Sequence, residues 1–281
     1  MGINDVLNLV TILLIAWSCS LLGAIMVLRK NVMVGDAISH SVLPGIAVAY
    51  IVSQQVDSYL ILLGAAFFGV LTTYIINFFH QKLKLQEDAS IGITFTWLFA
   101  LGVLFISFFT EKNTDLDQDC VLFGDLGISF LDKIIVDDYF IGTRSMWMIL
   151  PVFIVIILLF TKGWKGLQIL AFDESFAMSK GINVKRWHYI FMTLVSITTV
   201  MSFESVGAIL VIGLLSIPAA SAYLLVKRLP SFLLVSCLFA TLGSVIGMFL
   251  SIYLDLVMSS MIVVTLGVQF LIVFTIYILK Q

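Results

Sequence analysis

Apolar residues fall in long runs separated by short polar stretches. A membrane span takes about 20 such residues. Nine runs reach that length or come near it: Val6–Leu28, Val32–Val52, Tyr59–Phe79, Ile91–Phe109, Thr143–Phe160, Tyr189–Phe203, Val206–Val226, Phe232–Leu254 and Val257–Leu279. The fifth and sixth are short, so eight or ten spans stay open beside nine. The pattern predicts an all-α polytopic membrane protein, with residues 1–281 forming a single transmembrane domain.

Basic residues orient the threading. With the N-terminus outside, the inner connections hold Arg29-Lys30, Lys82 and Lys84, then Lys162, Lys165, Lys180, Lys185 and Arg186, then Lys227-Arg228, and last Lys280. The outer connections hold Asp57, Glu111, Asp115, Asp117, Asp119 and Asp255. Only Lys112, Lys133 and Arg144 fall on the wrong side, all in or beside the longest outer connection, where the rule is weakest.

Two connections are long. The outer one, 110–142, contains Val121-Leu122-Phe123-Gly124-Asp125-Leu126-Gly127, an apolar stretch read as lying on or dipping into the membrane. The inner one, 162–188, contains Leu170–Gly181. There Phe172, Phe176 and Met178 form an apolar side and Asp173, Glu174 and Lys180 a polar one, with Gly181 placed as a C-cap. Such a helix lies on the membrane or docks into a partner, and its low basic content favours the partner.

Composition agrees with the threading. Hydrophobic residues make up 61% and charged residues 11% of the 281, against about 25% charged in soluble domains. A formal net charge of −2 gives no reason to expect nucleic acid as a partner. Cys19, Cys120 and Cys237 have no metal-binding spacing and read as unpaired small residues. The chain has no Walker A sequence and no nucleophile–base arrangement, so neither ATP hydrolysis nor other catalysis is expected of it.

Polar residues inside apolar runs narrow the function. Asp36 and His40 are four apart and share a helix face. At 1.5 Å per residue from Arg29-Lys30, Asp36 lies roughly 10 Å and His40 about 16 Å into the membrane. An acid that deep is costly. The pair is a structural bond, a proton relay or a divalent-metal site, since carboxylate with imidazole suits manganese, zinc or iron. Ser39 and Ser41 add polarity, and Pro44-Gly45 predicts a kink at which a gate hinges. Glu204, where the sixth and seventh spans meet, is an exposed turn acid, a third oxygen ligand or an outer relay. Asp115, Asp117 and Asp119 lack the rest of an EF-hand and form a solvated acidic loop or a mouth that concentrates cations. His80 and His188 read as interfacial residues beside basic neighbours. In the seventh span, Gly207, Gly213, Ala219, Ala220 and Ala222 allow close helix packing, and Pro218 frees backbone carbonyls.

Together these motifs resemble the metal-ion ABC-transporter permeases. Val34 through Gly45 is similar to that family's signature, Asp115 through Asp125 to its outer segment, and Ala171-Phe172-Asp173 through Gly181 to its ATPase-coupling loop. Val206-Gly207 through Ala222 resembles its late glycine-and-alanine helix, so the resemblance covers nearly the whole chain in order. Ala177 and Gly181 match the general coupling pattern, whereas Ser175 and Phe176 replace its usual acid and alanine. The resemblance implies a bacterial inner-membrane permease importing manganese, zinc or iron, with Asp36 and His40 as pathway ligands. It implies coupling through Phe172, Asp173, Glu174, Ala177 and Gly181 to a cytoplasmic ATP-binding cassette ATPase. An extracytoplasmic metal-binding protein and a second permease, identical or related, complete the assembly. No permanently bound cofactor is implied. The competing reading is an ion- or proton-coupled secondary transporter acting alone. The outer acids lean the metal toward manganese.

Overall fold

The computed structural model describes residues 3–53, 59–109, 133–136, 139–172 and 183–280. The first span is α1 (Ile3–Leu28), and the second is divided into α2 (Met33–Ser41) and α3 (Leu43–Ser53). Then come α4 (Tyr59–Lys82), α5 (Glu87–Phe109), α6 (Arg144–Lys162) and the short α7 (Trp164–Phe172). The last four are α8 (Val184–Val206), α9 (Ala208–Leu225), α10 (Leu229–Leu254) and α11 (Met258–Leu279). Among the described residues nine helical segments are long and apolar enough to cross a membrane, α2 and α3 together counting as one. Nine crossings keep the basic connections at 29–30, 82–84, 162–165 and 227–228 on one side, as the threading requires.

The sixth span is a full helix of 23 residues, longer than its apolar run 189–203 suggested. Lys185, Arg186 and His188 at its start hid that turn from a hydropathy reading. Long basic side chains lay apolar stems along the membrane and reach water at its edge. Asn183 caps this helix, its side chain accepting from Arg186 N–H at 3.1 Å. One element was not anticipated: an antiparallel pair, β1 (Lys133–Val136) and β2 (Tyr139–Thr143), with a register irregularity between Ile134 and Ile135. Thr143 ends β2 and caps α6, accepting from Met146 N–H at 3.3 Å. The apolar outer stretch 121–127 and the acids Asp115, Asp117 and Asp119 lie outside the described residues.

Helices α1 and α8 run through the interior. α1 packs against α6, α9 and α10, and α8 joins α4 and α2 to α6. Buried hydroxyls tie helices together where lipid supplies no hydrophobic drive. Ser20 and Ser236 lie 2.7 Å apart, and Trp17 Nε1 donates to Thr241 Oγ1 at 2.8 Å. Between α8 and α9 the chain turns on Gly207 alone, at φ 82°. An L side chain there would be strained, so glycine permits two antiparallel spans with a one-residue link.

Candidate functional site

The α2 helix is short and mostly buried. Val34, Gly35, Ala37, Ile38, Ser39 and Ser41 face the bundle. Met33, Asp36 and His40, spaced i, i+3 and i+7, form the opposite stripe. There His40 Nε2 stands 3.7 Å from Asp36 Oδ1, and the two side chains are 34% and 49% exposed. The imidazole is walled by α5, with the Phe95 ring centroid 5.8 Å away and that of Phe99, edge-on, at 5.9 Å. This leaves an anionic oxygen and a ring nitrogen on one open face, beside two aromatic groups that keep the ring oriented.

The neighbouring serines do not extend the donor set. Ser39 Oγ donates to the Asp36 carbonyl at 2.5 Å, on its own helix. Ser41 Oγ sits 3.2 Å from the Ile38 carbonyl and 2.6 Å from Thr72 Oγ1 on α4, so it ties two helices. Among the described residues no group of three or more His, Cys, Asp or Glu side chains gathers anywhere. The pair is therefore an incomplete ligand set within this chain's described part.

Within the described residues of this chain Glu204 does not join Asp36 and His40 in one group. Arg29 at the end of α1 bonds His188 near the start of α8, so α8 starts at the same end of the bundle as α2. Glu204 is sixteen residues further along α8 than His188, roughly 24 Å at 1.5 Å per residue. Its Oε1 lies 3.7 Å from Arg144 Nη2, at the start of α6.

Just before the proline the regular helix is interrupted for one residue, Val42, whose backbone stays in the right-handed helical region at φ −72° and ψ −25°. Pro44 has no N–H to give to the His40 carbonyl, and Gly45 N–H turns to Val42 O at 2.9 Å. Ile46 N–H also bonds Val42 O, at 3.2 Å, so α3 follows directly on α2. The segment is clamped on two sides. A Cβ on Gly45 would run into the carbonyl of Gly64 on α4, and one on Gly102 of α5 would meet Pro44 N at 2.8 Å. Pro218 is buried within α9, which continues unbroken from Ala208 to Leu225. Of the coupling residues, Phe172 ends α7, and Asp173, Glu174, Ala177 and Gly181 lie outside the described residues.

His188 is where the sequence misled. It is 5% exposed and enclosed by helices. Its neighbours in sequence are basic, and nothing local announces partners on α1 and α4.

Known proteins share this architecture. The chain is 38% identical over 255 residues to the manganese transport system membrane protein MntD of Bacillus subtilis (strain 168), covering 91% of this chain and 86% of MntD. It is 36% identical over 238 residues to the chelated iron transport system membrane protein YfeC of Yersinia pestis, covering 84% of this chain and 74% of YfeC. A chain in the solved structure of PsaBC from Streptococcus pneumoniae in complex with Fab superposes with a TM-score of 0.77 at 32% identity, covering 98% of this chain and 92% of that one. With residues 6–277 matching the family as a whole, the chain belongs to the ABC 3 transport family.

Proposed function

We propose that this chain is the membrane permease subunit of an ATP-driven importer of divalent metal, manganese first, and that the metal passes between Asp36 and His40. The observation that carries the reading is their placement on the open stripe of α2. An acid facing lipid at such depth costs about 2.5–3.5 kcal/mol, so the face needs a polar counterpart. A second copy of the chain, or a related permease, presenting the same stripe would offset that cost. Two acids and two imidazoles would then surround a metal that one α2 cannot enclose.

The chain performs no bond chemistry of its own in this scheme. Asp36 and His40 replace part of the water shell of the passing ion, and Phe95 and Phe99 hold the imidazole in place. Energy comes from a separate ATP-binding cassette subunit, since the sequence carries no P-loop. Residues 172–181 form the contact with that subunit. A metal-binding protein delivers the ion on the other side of the bacterial plasma membrane. Relatives named for manganese and iron support the cargo class. Carboxylate with imidazole and no thiolate suits manganese, iron and zinc alike, with manganese preferred on the hard outer acids.

The test is metal retention and ATP-driven uptake by the purified complex, with manganese, zinc and iron in competition. Asp36→Ala and His40→Ala are expected to lose both activities at least about tenfold, the loss of a ligand being worth about 1.4 kcal/mol or more. Wild-type retention and uptake in both variants would sink the reading.

A further inference from the structure

Three polar side chains from three helices meet in the buried end of the bundle where α1 finishes and α8 begins. Arg29 Nη1 is 2.7 Å from His188 Nδ1, and His188 Nε2 is 2.6 Å from Asn77 Oδ1 on α4. His188 is 5% exposed and Asn77 6%. A guanidinium can only donate, so Nδ1 must accept from Arg29. The ring proton then sits on Nε2 and is donated to Asn77 Oδ1. The three groups form a directed chain that holds together in one tautomer of His188, the neutral one protonated on Nε2.

The chain's position along the sequence gives it a consequence. His188 sits in the second turn of α8, which follows directly on the connection that contains residues 172–181. Arg29 leads into α2 through a turn with no slack. Lys30 is left-handed at φ 61°, its N–H bonds Val27 O at 3.1 Å, and Asn31 N–H reaches Met26 O at 3.0 Å. That pair of bonds is the Schellman ending of a helix. Val34 N–H then bonds Asn31 O at 3.2 Å and Gly35 N–H bonds Val32 O at 3.1 Å, so α2 begins at once. Asp36 is the next residue.

We infer that His188 is a positioning residue that links the start of α8, through Arg29 and the Lys30 turn, to the helix carrying Asp36 and His40. Displacement of the coupling connection by an ATPase moves α8, and Arg29 passes that movement to α2. Asn77 keeps the ring oriented and brings α4 along. The inference rests on the permease reading above and adds the route by which ATP hydrolysis reaches the metal pair.

The experiment uses the complete complex in proteoliposomes, with manganese as cargo. Uptake, ATP hydrolysis and metal retention without ATP are measured for wild type, His188→Phe, His188→Gln and Asn77→Leu. Phenylalanine keeps the ring and loses both bonds, whereas glutamine keeps one acceptor and one donor. Metal taken up per ATP is expected to fall roughly five- to tenfold in His188→Phe and less in Asn77→Leu, with glutamine within about twofold of wild type. Retention without ATP stays at the wild-type level in all three. Unchanged uptake per ATP in His188→Phe and Asn77→Leu overturns the inference, and so does a loss of retention, which would make His188 a support of the site itself. If His188→Phe does not assemble, Asn77→Leu decides on the same criterion. A wild-type complex that takes up no metal with ATP overturns the permease reading as well, so the two failures are told apart.

Discussion

Arg144 Nη2 and Glu204 Oε1 stand 3.7 Å apart, joining the start of α6 to the last turn of α8. The acid is thereby held about 24 Å along α8 from the end that α2 shares. Glu204→Gln is expected to leave equilibrium metal retention unchanged and to lower stability by no more than about 1 kcal/mol, because the pair is partly exposed. Metal analysis of the purified variant beside its thermal midpoint checks both. A loss of retention to the level of His40→Ala would restore Glu204 as a ligand.

Gly45 and Gly64 touch backbone to backbone, and each Cβ would enter the carbonyl of the other. Gly45→Ala and Gly64→Ala are expected to destabilise the protein by about 1–3 kcal/mol, the usual cost of overpacking. Gly92→Ala and Gly267→Ala supply the contrast. Nothing lies within 4 Å of a Cβ at either position, so they are expected to be neutral or to gain up to about 1 kcal/mol from helix propensity. Thermal midpoints in one detergent measure all four. Equal effects at the two kinds of site would remove the close crossing of α3 and α4 as an explanation.

Phe99 meets the His40 ring edge-on at 5.9 Å. Such aromatic contacts are worth about 0.5–1.5 kcal/mol, so Phe99→Leu should weaken metal retention roughly two- to tenfold. Phe99→Tyr keeps the ring and should retain wild-type binding. Titration of the purified protein with manganese measures the difference, and indistinguishable leucine and tyrosine variants would show that the wall does not orient the imidazole.

Pro44 withholds an N–H from the carbonyl of His40, and regular helix is interrupted for one residue at Val42. Pro44→Ala restores that donor and should join α2 to α3. Metal retention is expected to persist, since Asp36 and His40 lie before the interruption, while the rate of ATP-driven uptake falls. Uptake at the wild-type rate would mean that the interruption takes no part in transport.

The spans were legible because burial in lipid acts on each segment separately. A run such as Phe232–Leu254 is apolar along its whole length, and no partner is needed to read it. The pairing of Asp36 with His40 was legible for a similar reason, since four residues of helix place two side chains on one face whatever surrounds them. Pro44 likewise announced a local interruption through its missing donor. The start of α8 was harder, because Lys185, Arg186 and His188 are polar in sequence yet continue the helix at the membrane edge.

The rest depended on which helices meet. Glu204 is as polar in sequence as Asp36, and only the run of α8 past α2 separates them. Ser39 and Ser41 looked like additional polarity for the metal pair, and their hydroxyls turn to the backbone and to Thr72. His188 looked like an interfacial histidine and is enclosed between Arg29 and Asn77, which are 159 and 111 residues away in sequence. The sequence alone determined the all-helical membrane class, the orientation that its basic connections favour and the one local pair of metal-type ligands, and left eight to ten crossings open. The tertiary structure alone decided which face of α2 stays open and which polar groups are already engaged. Hydropathy and helical spacing are properties of neighbouring residues, whereas a partner across the bundle is set by helix packing.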